Sequence, residues 1–309
     1  MASESVVLYE NLRSCGYTPF YLAQRAGLFE AEGLEVDLRL SPAPPETARG
    51  LIEGRADVSF GGPMRVMMHH DAARARGEES PLVCFAQIVA RDPFILVGRA
   101  ANPRFRFADL IGPLVGVATD VPTPWMLLHD DLDRAGVDPA AVRRVMDAPM
   151  ADNVAALERG EIDVVQVFEP HAEALVSSGR GHVWHRFSVR GDIAFTTFYT
   201  TRRFAAERRN ACLALARAMA ASLARLHAAD PAETADLIGP AFFPDLAPAR
   251  LARIISGYRE ARLWPRGTAL PAAAYARLKA ALLAGGLIAW DVPYDEAVDA
   301  ALCETGTPS

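Results

Sequence analysis

Four strand-to-helix junctions in this sequence place Pro where a helix should open: Thr18-Pro19, Gly62-Pro63, Thr123-Pro124 and Glu169-Pro170. Pro fits the first helical position because its missing N–H has no partner there and its φ already suits a helix. Thr18 and Thr123 are the expected N-caps, a hydroxyl oxygen accepting from a free N–H of the first turn. Around the turns gather Tyr9, Asn11, Ser14, Tyr17 and Phe20; Gly61, Gly62 and Arg65; Thr119, Asp120, Thr123 and Trp125; and Phe168 with Glu169. Aromatic faces supply contact area and a few polar groups fix orientation, so this set suits recognition of a small molecule. Core packing is the competing role for each aromatic. Trp125, at a helix start, and Asn11, in a non-helical loop, lead the set.

No pattern for covalent or metal chemistry accompanies these residues, so no catalytic residue, metal ligand or cofactor is assigned. A G-x-S-x-G turn is absent, and Ser14 has no His near it in sequence. Gly61-Gly62-Pro63 lacks the spacing and the Lys of a phosphate loop. His69 and His70 are adjacent on an expected helix and so point to different faces, whereas a metal pair on one helix prefers i, i+4. The four cysteines, Cys15, Cys84, Cys212 and Cys303, have no short spacing. Cys84 and Cys212 lie in apolar runs and are expected to be buried thiols.

The elements that would position the turns follow from periodicity. Expected strands at Val6–Tyr9, Glu35–Leu40 (by its period of two), Asp57–Phe60 and Leu82–Val89 alternate with amphipathic segments. The pattern restarts with strands at Phe94–Arg99, Leu114–Ala118, Val142–Met146 and Asp163–Phe168. Val183–Phe187 and Phe195–Thr200 close it, and the chain is helical from Phe204 onward. Such alternation predicts parallel pairing with helices on both faces. Leu51-Ile-Glu-Gly-Arg-Ala-Asp-Val58 resembles Leu157-Glu-Arg-Gly-Glu-Ile-Asp-Val164: a helix end, a Gly cap, then a strand opening after Asp. Either any two such turns look alike, or two similar α/β lobes use this one at the same structural point. In open α/β sheets ligands sit beyond the carboxyl ends of the strands. Two lobes face to face would therefore aim four helix starts at one crevice.

With 309 residues, 51% of them hydrophobic, the chain can bury one large or two medium cores. Its net charge of −6 argues against a nucleic-acid or anionic-membrane partner. No apolar stretch approaches the roughly 18 residues of a membrane span. No secretory leader is legible before Val6, so either a leader has been removed or the protein stays in the cytoplasm.

Together these features resemble a known family, the type II solute-binding proteins that capture nitrate, bicarbonate, alkanesulfonates, taurine or thiamine-pyrimidine precursors for ABC importers. The resemblance is carried by Asn11, by Gly16-Tyr-Thr-Pro-Phe-Tyr-Leu-Ala-Gln24 and by Gly27-Leu-Phe-Glu-Ala-Glu-Gly-Leu-Glu-Val-Asp37. The two Gly-Asp turns, Trp264 and Gly286–Ile288 extend it over nearly the whole chain. It implies a periplasmic-binding-protein-like type II fold of two α/β lobes joined by a two-strand hinge. Lobe 1 would be residues 1–90 plus 198–309, and lobe 2 residues 91–197. The hinge is expected near Val89–Leu96 and Ala194–Thr200, and Gln87, Asp192 and Phe195 complete the candidate ligand set. The resemblance further implies no catalysis, a monomer outside the inner membrane, periplasmic or lipid-anchored, and permease and ATPase subunits as partners. The alternatives are an iron-dependent pyrimidine-synthase-like enzyme, which the scattered cysteines disfavour, and a cytoplasmic ligand sensor.

Ligand chemistry is read from charge. Helix N-termini favour anions such as nitrate or a sulfonate. Against them stand Glu10, Asp120, Glu169 and Asp192, with Arg13, Arg65 and Arg91 as the candidate cations. A buried carboxylate needs a donor. The favoured ligand is therefore a small, flat, nitrogen-bearing ring such as an aminopyrimidine, stacked on Tyr or Trp and bonded by Asn11 and a carboxylate.

Overall fold

The computed structural model describes residues 3–118, 121–146 and 148–303. Thr119 and Asp120 of the candidate set lie outside the described residues. The chain divides into two compact units. Unit 1 comprises Met1–Arg91, Asp192–Lys279 and Ile288–Ser309; unit 2 comprises Asp92–Gly191 and Ala280–Leu287.

Unit 1 opens with β1 (Glu4–Glu10), α1 (Thr18–Arg25), α2 (Leu28–Ala31), β2 (Leu34–Leu40), α3 (Glu46–Ile52), β3 (Val58–Gly61), α4 (Met64–Ala75) and β4 (Leu82–Val89). Unit 2 follows with β5 (Ile95–Gly98), β6 (Leu114–Gly116), α5 (Thr123–Arg134), β7 (Arg143–Val145), α6 (Met150–Arg159), β8 (Val164–Val167), α7 (His171–Ser177) and β9 (His182–Arg186). The chain then adds β10 (Thr196–Thr201), α8 (Arg202–Glu207), α9 (Arg209–Ala228), α10 (Pro231–Phe242), α11 (Pro248–Glu260), α12 (Ala272–Ala284) and α13 (Tyr294–Ala297).

Each unit is built on one five-stranded sheet, ordered β2-β1-β3-β10-β4 in unit 1 and β7-β6-β8-β5-β9 in unit 2. The expected parallel pairing holds for β1 with β2 and β3, and for β6 with β7 and β8. It fails at one strand per sheet. β10 runs antiparallel to β3 and β4, and β5 runs antiparallel to β8 and β9. Both sheets are therefore mixed, because the inserted strand comes from the far side of an excursion through the sequence and not from a local βαβ step. Pairing of Thr196–Thr201 with β3 and β4 also places residues 192–197 in unit 1, where the resemblance implied lobe 2.

The repeated Gly-Asp turn does the same work twice. Gly54 and Gly160 end α3 and α6 at φ +73° and +77°, a left-handed conformation that costs Gly nothing. Three residues later Asp57 Oδ2 accepts from Val7 N at 2.8 Å, and Asp163 Oδ2 accepts from Leu114 N at 2.9 Å. The same Asp residues donate their backbone N–H back to the carbonyls of Val7 and Leu114. Each Asp thus locks the register of the strand it opens against the first parallel strand of its own sheet.

The Pro turns are shifted by one residue from expectation. Thr18 and Thr123 are the first residues of α1 and α5, not N-caps, and each Pro is second. Thr18 Oγ1 instead donates to Cys15 O at 2.8 Å, closing the short turn before α1. Pro63 and Pro170 sit at the cap positions of α4 and α7. A missing N–H is harmless at all these positions, so sequence alone could not fix the offset.

In unit 1 the core is aromatic. Phe20 stacks on Phe60 with ring centroids 3.7 Å apart, and Phe85 stacks on Phe198 at 5.3 Å. In unit 2 the indole of Trp184 lies flat on Gly98 of β5 and donates to Ala100 O at 2.7 Å. A Cβ at residue 98 would stand 2.2 Å from that ring. Gly98→Ala is expected to expel the indole and lower stability by about 1–3 kcal/mol, as overpacking does. Urea denaturation of the variant checks this; an unchanged midpoint would contradict the packing described.

Candidate functional site

In unit 1 the carboxyl ends of β1 and β3, the start of α4 and the start of β10 bring together Asn11, Gly61, Gly62, Arg65 and Thr196. Asn11 is buried, and its Oδ1 accepts from Leu12 N at 2.9 Å. Its amide lies on the face of Gly61, where a Cβ would come within 3.3 Å of Nδ2. Tyr17 stands beside Asn11 and Thr196, its ring edge-on to Phe60. Burial pushes the Tyr17 phenol well above its ordinary pKa, so it stays a neutral donor. The Thr196 hydroxyl is buried without a hydrogen bond of standard geometry.

Arg65, in the first turn of α4, is 8% exposed. Its guanidinium makes no hydrogen bond or ion pair with any described residue. Burial holds its pKa below the ordinary arginine value, and the neighbouring phenols of Tyr199 and Tyr17 offset this only in part. A largely buried guanidinium without a counter-charge among the described residues is costly.

Other candidates in unit 1 serve the fold. Ser14 Oγ accepts from Gly16 N and caps a short turn. Phe20 is fully buried in the aromatic core. Tyr9 packs against Gly50 of α3. Gln87 donates to the carbonyls of Val89 and Ile193, at 3.2 and 2.8 Å. Asp192 pairs with Arg91 at 2.8 Å and is exposed. Phe195 is half-buried at the start of β10. Glu10 points inward: its carboxylate accepts from Tyr21 and pairs with Arg13 at 3.1 Å.

In unit 2 the corresponding sheet edge carries Thr123 and Trp125 in the first turn of α5, and Phe168 with Glu169 before α7. The Trp125 ring is not open: Arg144 of β7 lies over it, guanidinium carbon 3.6 Å from the centroid. Phe168 packs edge-on to Phe94. Glu169 Oε2 accepts from Glu173 N at 2.8 Å, and burial raises its pKa. Arg144 and Thr196 were missed by sequence reading. An Arg in a short edge strand and one hydroxyl in a Thr-rich strand carry no periodic signal.

All four cysteines are buried thiols outside any disulfide, and burial pushes the Cys84 and Cys212 thiols up to about 12. Among the described residues no group of three His, Cys, Asp or Glu side chains could hold a metal ion, and no helix is long and apolar enough to cross a membrane.

Three kinds of comparison bear on this geometry. The model of the NMT1-like family matches residues 12–239. The putative binding protein YtlA of Bacillus subtilis (strain 168) is 26% identical over 201 residues, 64% of this chain and 59% of that protein. The 4-amino-5-hydroxymethyl-2-methylpyrimidine phosphate synthase of Schizosaccharomyces pombe is 31% identical over 169 residues, 53% of this chain and 44% of that enzyme. The chain thus spans about half the length of these curated relatives. Among solved structures, the periplasmic aliphatic sulphonate binding protein SsuA of Escherichia coli superposes with a TM-score of 0.76 at 18% identity, covering 96% of this chain and 97% of that one. A likeness at that identity is one of fold, and it makes the two α/β units a periplasmic-binding-protein fold.

Proposed function

The chain belongs to the NMT1-like family, and from that premise we propose that it is the ligand-capturing protein of an ABC-type importer and takes a small organic anion. It binds without converting, hands its cargo to permease and ATPase subunits, and works outside the inner membrane. The observation that carries the choice of ligand is Arg65, buried and without a partner among the described residues. An anionic group would supply the missing counter-charge, and the start of α4 adds its positive dipole end. Three of the four carboxylates that favoured an N–H-bearing ring are engaged: Glu10 with Tyr21 and Arg13, Glu169 with Glu173 N, Asp192 with Arg91; Asp120 lies outside the described residues.

A second reading keeps the aminopyrimidine, because of the 31% identity to the fission-yeast pyrimidine synthase. Calorimetric titration with ethanesulfonate, taurine, nitrate and 4-amino-5-hydroxymethyl-2-methylpyrimidine separates the two. Saturable heat is expected with the sulfonates, and Arg65→Gln should weaken it about a hundredfold, as loss of a buried charge partner does. Heat from the pyrimidine alone, or sulfonate affinity indifferent to Arg65→Gln, would overturn the anionic reading.

A further inference from the structure

A cavity of about 440 Å³ lies in unit 1 where β4 begins and β10 runs into α8 and α9. That volume suits a small molecule. It is not the site built around Arg65. Thr196, at the start of β10, belongs to that site, whereas the cavity lies beyond Thr201, about 17 Å further along the strand. Three buried apolar side chains, Val83 of β4, Ala205 of α8 and Val298 just after α13, form its floor. At its rim stand two charges with no opposite charge set against them. Arg202, the first residue of α8, donates through Nε to Ser80 O at 3.2 Å and through Nη2 to Glu296 O. Both acceptors are backbone carbonyls, so the guanidinium is held in place while no carboxylate among the described residues pairs with it. Asp295, in the first turn of α13, is exposed and makes no hydrogen bond or ion pair with any described residue. The remaining charges on the rim answer each other, Arg209 Nη1 lying 3.4 Å from Asp299 Oδ2.

We infer that this cavity is a second small-molecule site and takes a free α-amino acid with an apolar side chain. The carboxylate goes to Arg202, the ammonium to Asp295, and the side chain over Val83, Ala205 and Val298. A guest with both charges satisfies both groups. A bare anion would pair with Arg202 and be repelled by Asp295, and a simple amine would do the reverse. With Nε and Nη2 of Arg202 engaged, Nη1 is the arm that meets the carboxylate. The charges sit at an exposed rim, so each contributes modestly and the apolar floor contributes the larger share. The site is independent of the anionic ligand proposed for Arg65.

The test titrates L-valine, L-leucine, L-methionine and L-phenylalanine into the protein by calorimetry, with isocaproate and isoamylamine as leucine analogues that each lack one charge. Saturable heat is expected with at least one of the amino acids, and weaker binding with either analogue. Asp295→Asn, which breaks no contact with a described residue, should weaken amino-acid binding about threefold, the scale of an exposed ion pair. Ala206→Phe, at an exposed position in the cavity wall, should abolish it, and an unchanged urea midpoint shows that the fold survives. Arg65→Gln should bind amino acids as wild type does. No heat from any of the four amino acids overturns the site, as does heat that survives both Ala206→Phe and Asp295→Asn. Heat lost in Arg65→Gln but kept in Ala206→Phe would place the amino acid with Arg65 and overturn the site as well. None of these results bears on ethanesulfonate, so the anionic reading stands or falls by its own titration.

Discussion

Arg190→Ala is expected to lower the stability of unit 2 by about 3–5 kcal/mol, the cost of stranding a buried charge when its partner is removed. Asp92 is 1% exposed. Its Oδ2 lies 2.6 Å from Arg190 Nη1, and its Oδ1 accepts from Phe94 N at 2.9 Å. Arg190 also reaches Asp131 on α5, through Nε at 3.2 Å, and donates to Leu127 O at 3.1 Å. Burial pushes the pKa of Asp92 up even with Arg190 in place, and removing the guanidinium would raise it further. The deficit should therefore shrink at low pH, where Asp92 can take a proton and shed its charge. Asp92→Asn in the Arg190→Ala background should recover part of the loss. Urea denaturation of the single and double variants at pH 5 and pH 8 measures each term. A single variant within about 1 kcal/mol of wild type at pH 8 would mean that solvent, not Arg190, balances Asp92.

Glu10 should give stability a pH dependence opposite to that of an ordinary ion-paired carboxylate. Its side chain is fully buried, and desolvation raises its pKa from 4.5 to about 7, against the lowering effects of Tyr21 and Arg13. Below pH 4.5 it is protonated in both folded and unfolded chains and carries no penalty. As pH rises from 4.5 to 7, the unfolded chain loses this proton while the folded chain retains it. The folded state then binds more protons, so stability falls with pH across that window and levels off above it. The full fall amounts to about 3 kcal/mol. Glu10→Gln cannot ionise. Relative to wild type it should gain about 3 kcal/mol between pH 4 and pH 8 in urea titrations. Parallel curves for the two proteins would show that Glu10 is ionised in the folded protein throughout the window.

Glu10 also illustrates where sequence reading stops. Its place at the end of an apolar strand was legible, and the turn after it was correctly located. That its carboxylate folds inward onto Tyr21 and Arg13 was not, because the direction of one side chain at a strand end depends on which ring packs beside it. The same limit applies to Trp125. Its position in the first turn of a helix follows from Thr123-Pro124, but the Arg that covers its face lies nineteen residues further on, in a strand. Gln87, singled out as a ligand residue, instead ties two backbone carbonyls, one of them more than a hundred residues away.

The sequence by itself determined the alternation of strands and helices, the Gly-Asp turn used twice, and the family. These are local properties: a period of two or 3.6 residues, a left-handed Gly, and an Asp placed to hold the strand it opens. Tertiary structure alone decided that each sheet is mixed, that Glu10, Glu169 and Asp192 are engaged, and that Arg65 is left buried without a partner among the described residues. Strand direction and ion pairing are settled by segments far apart in the chain, and no local period records which of them meet.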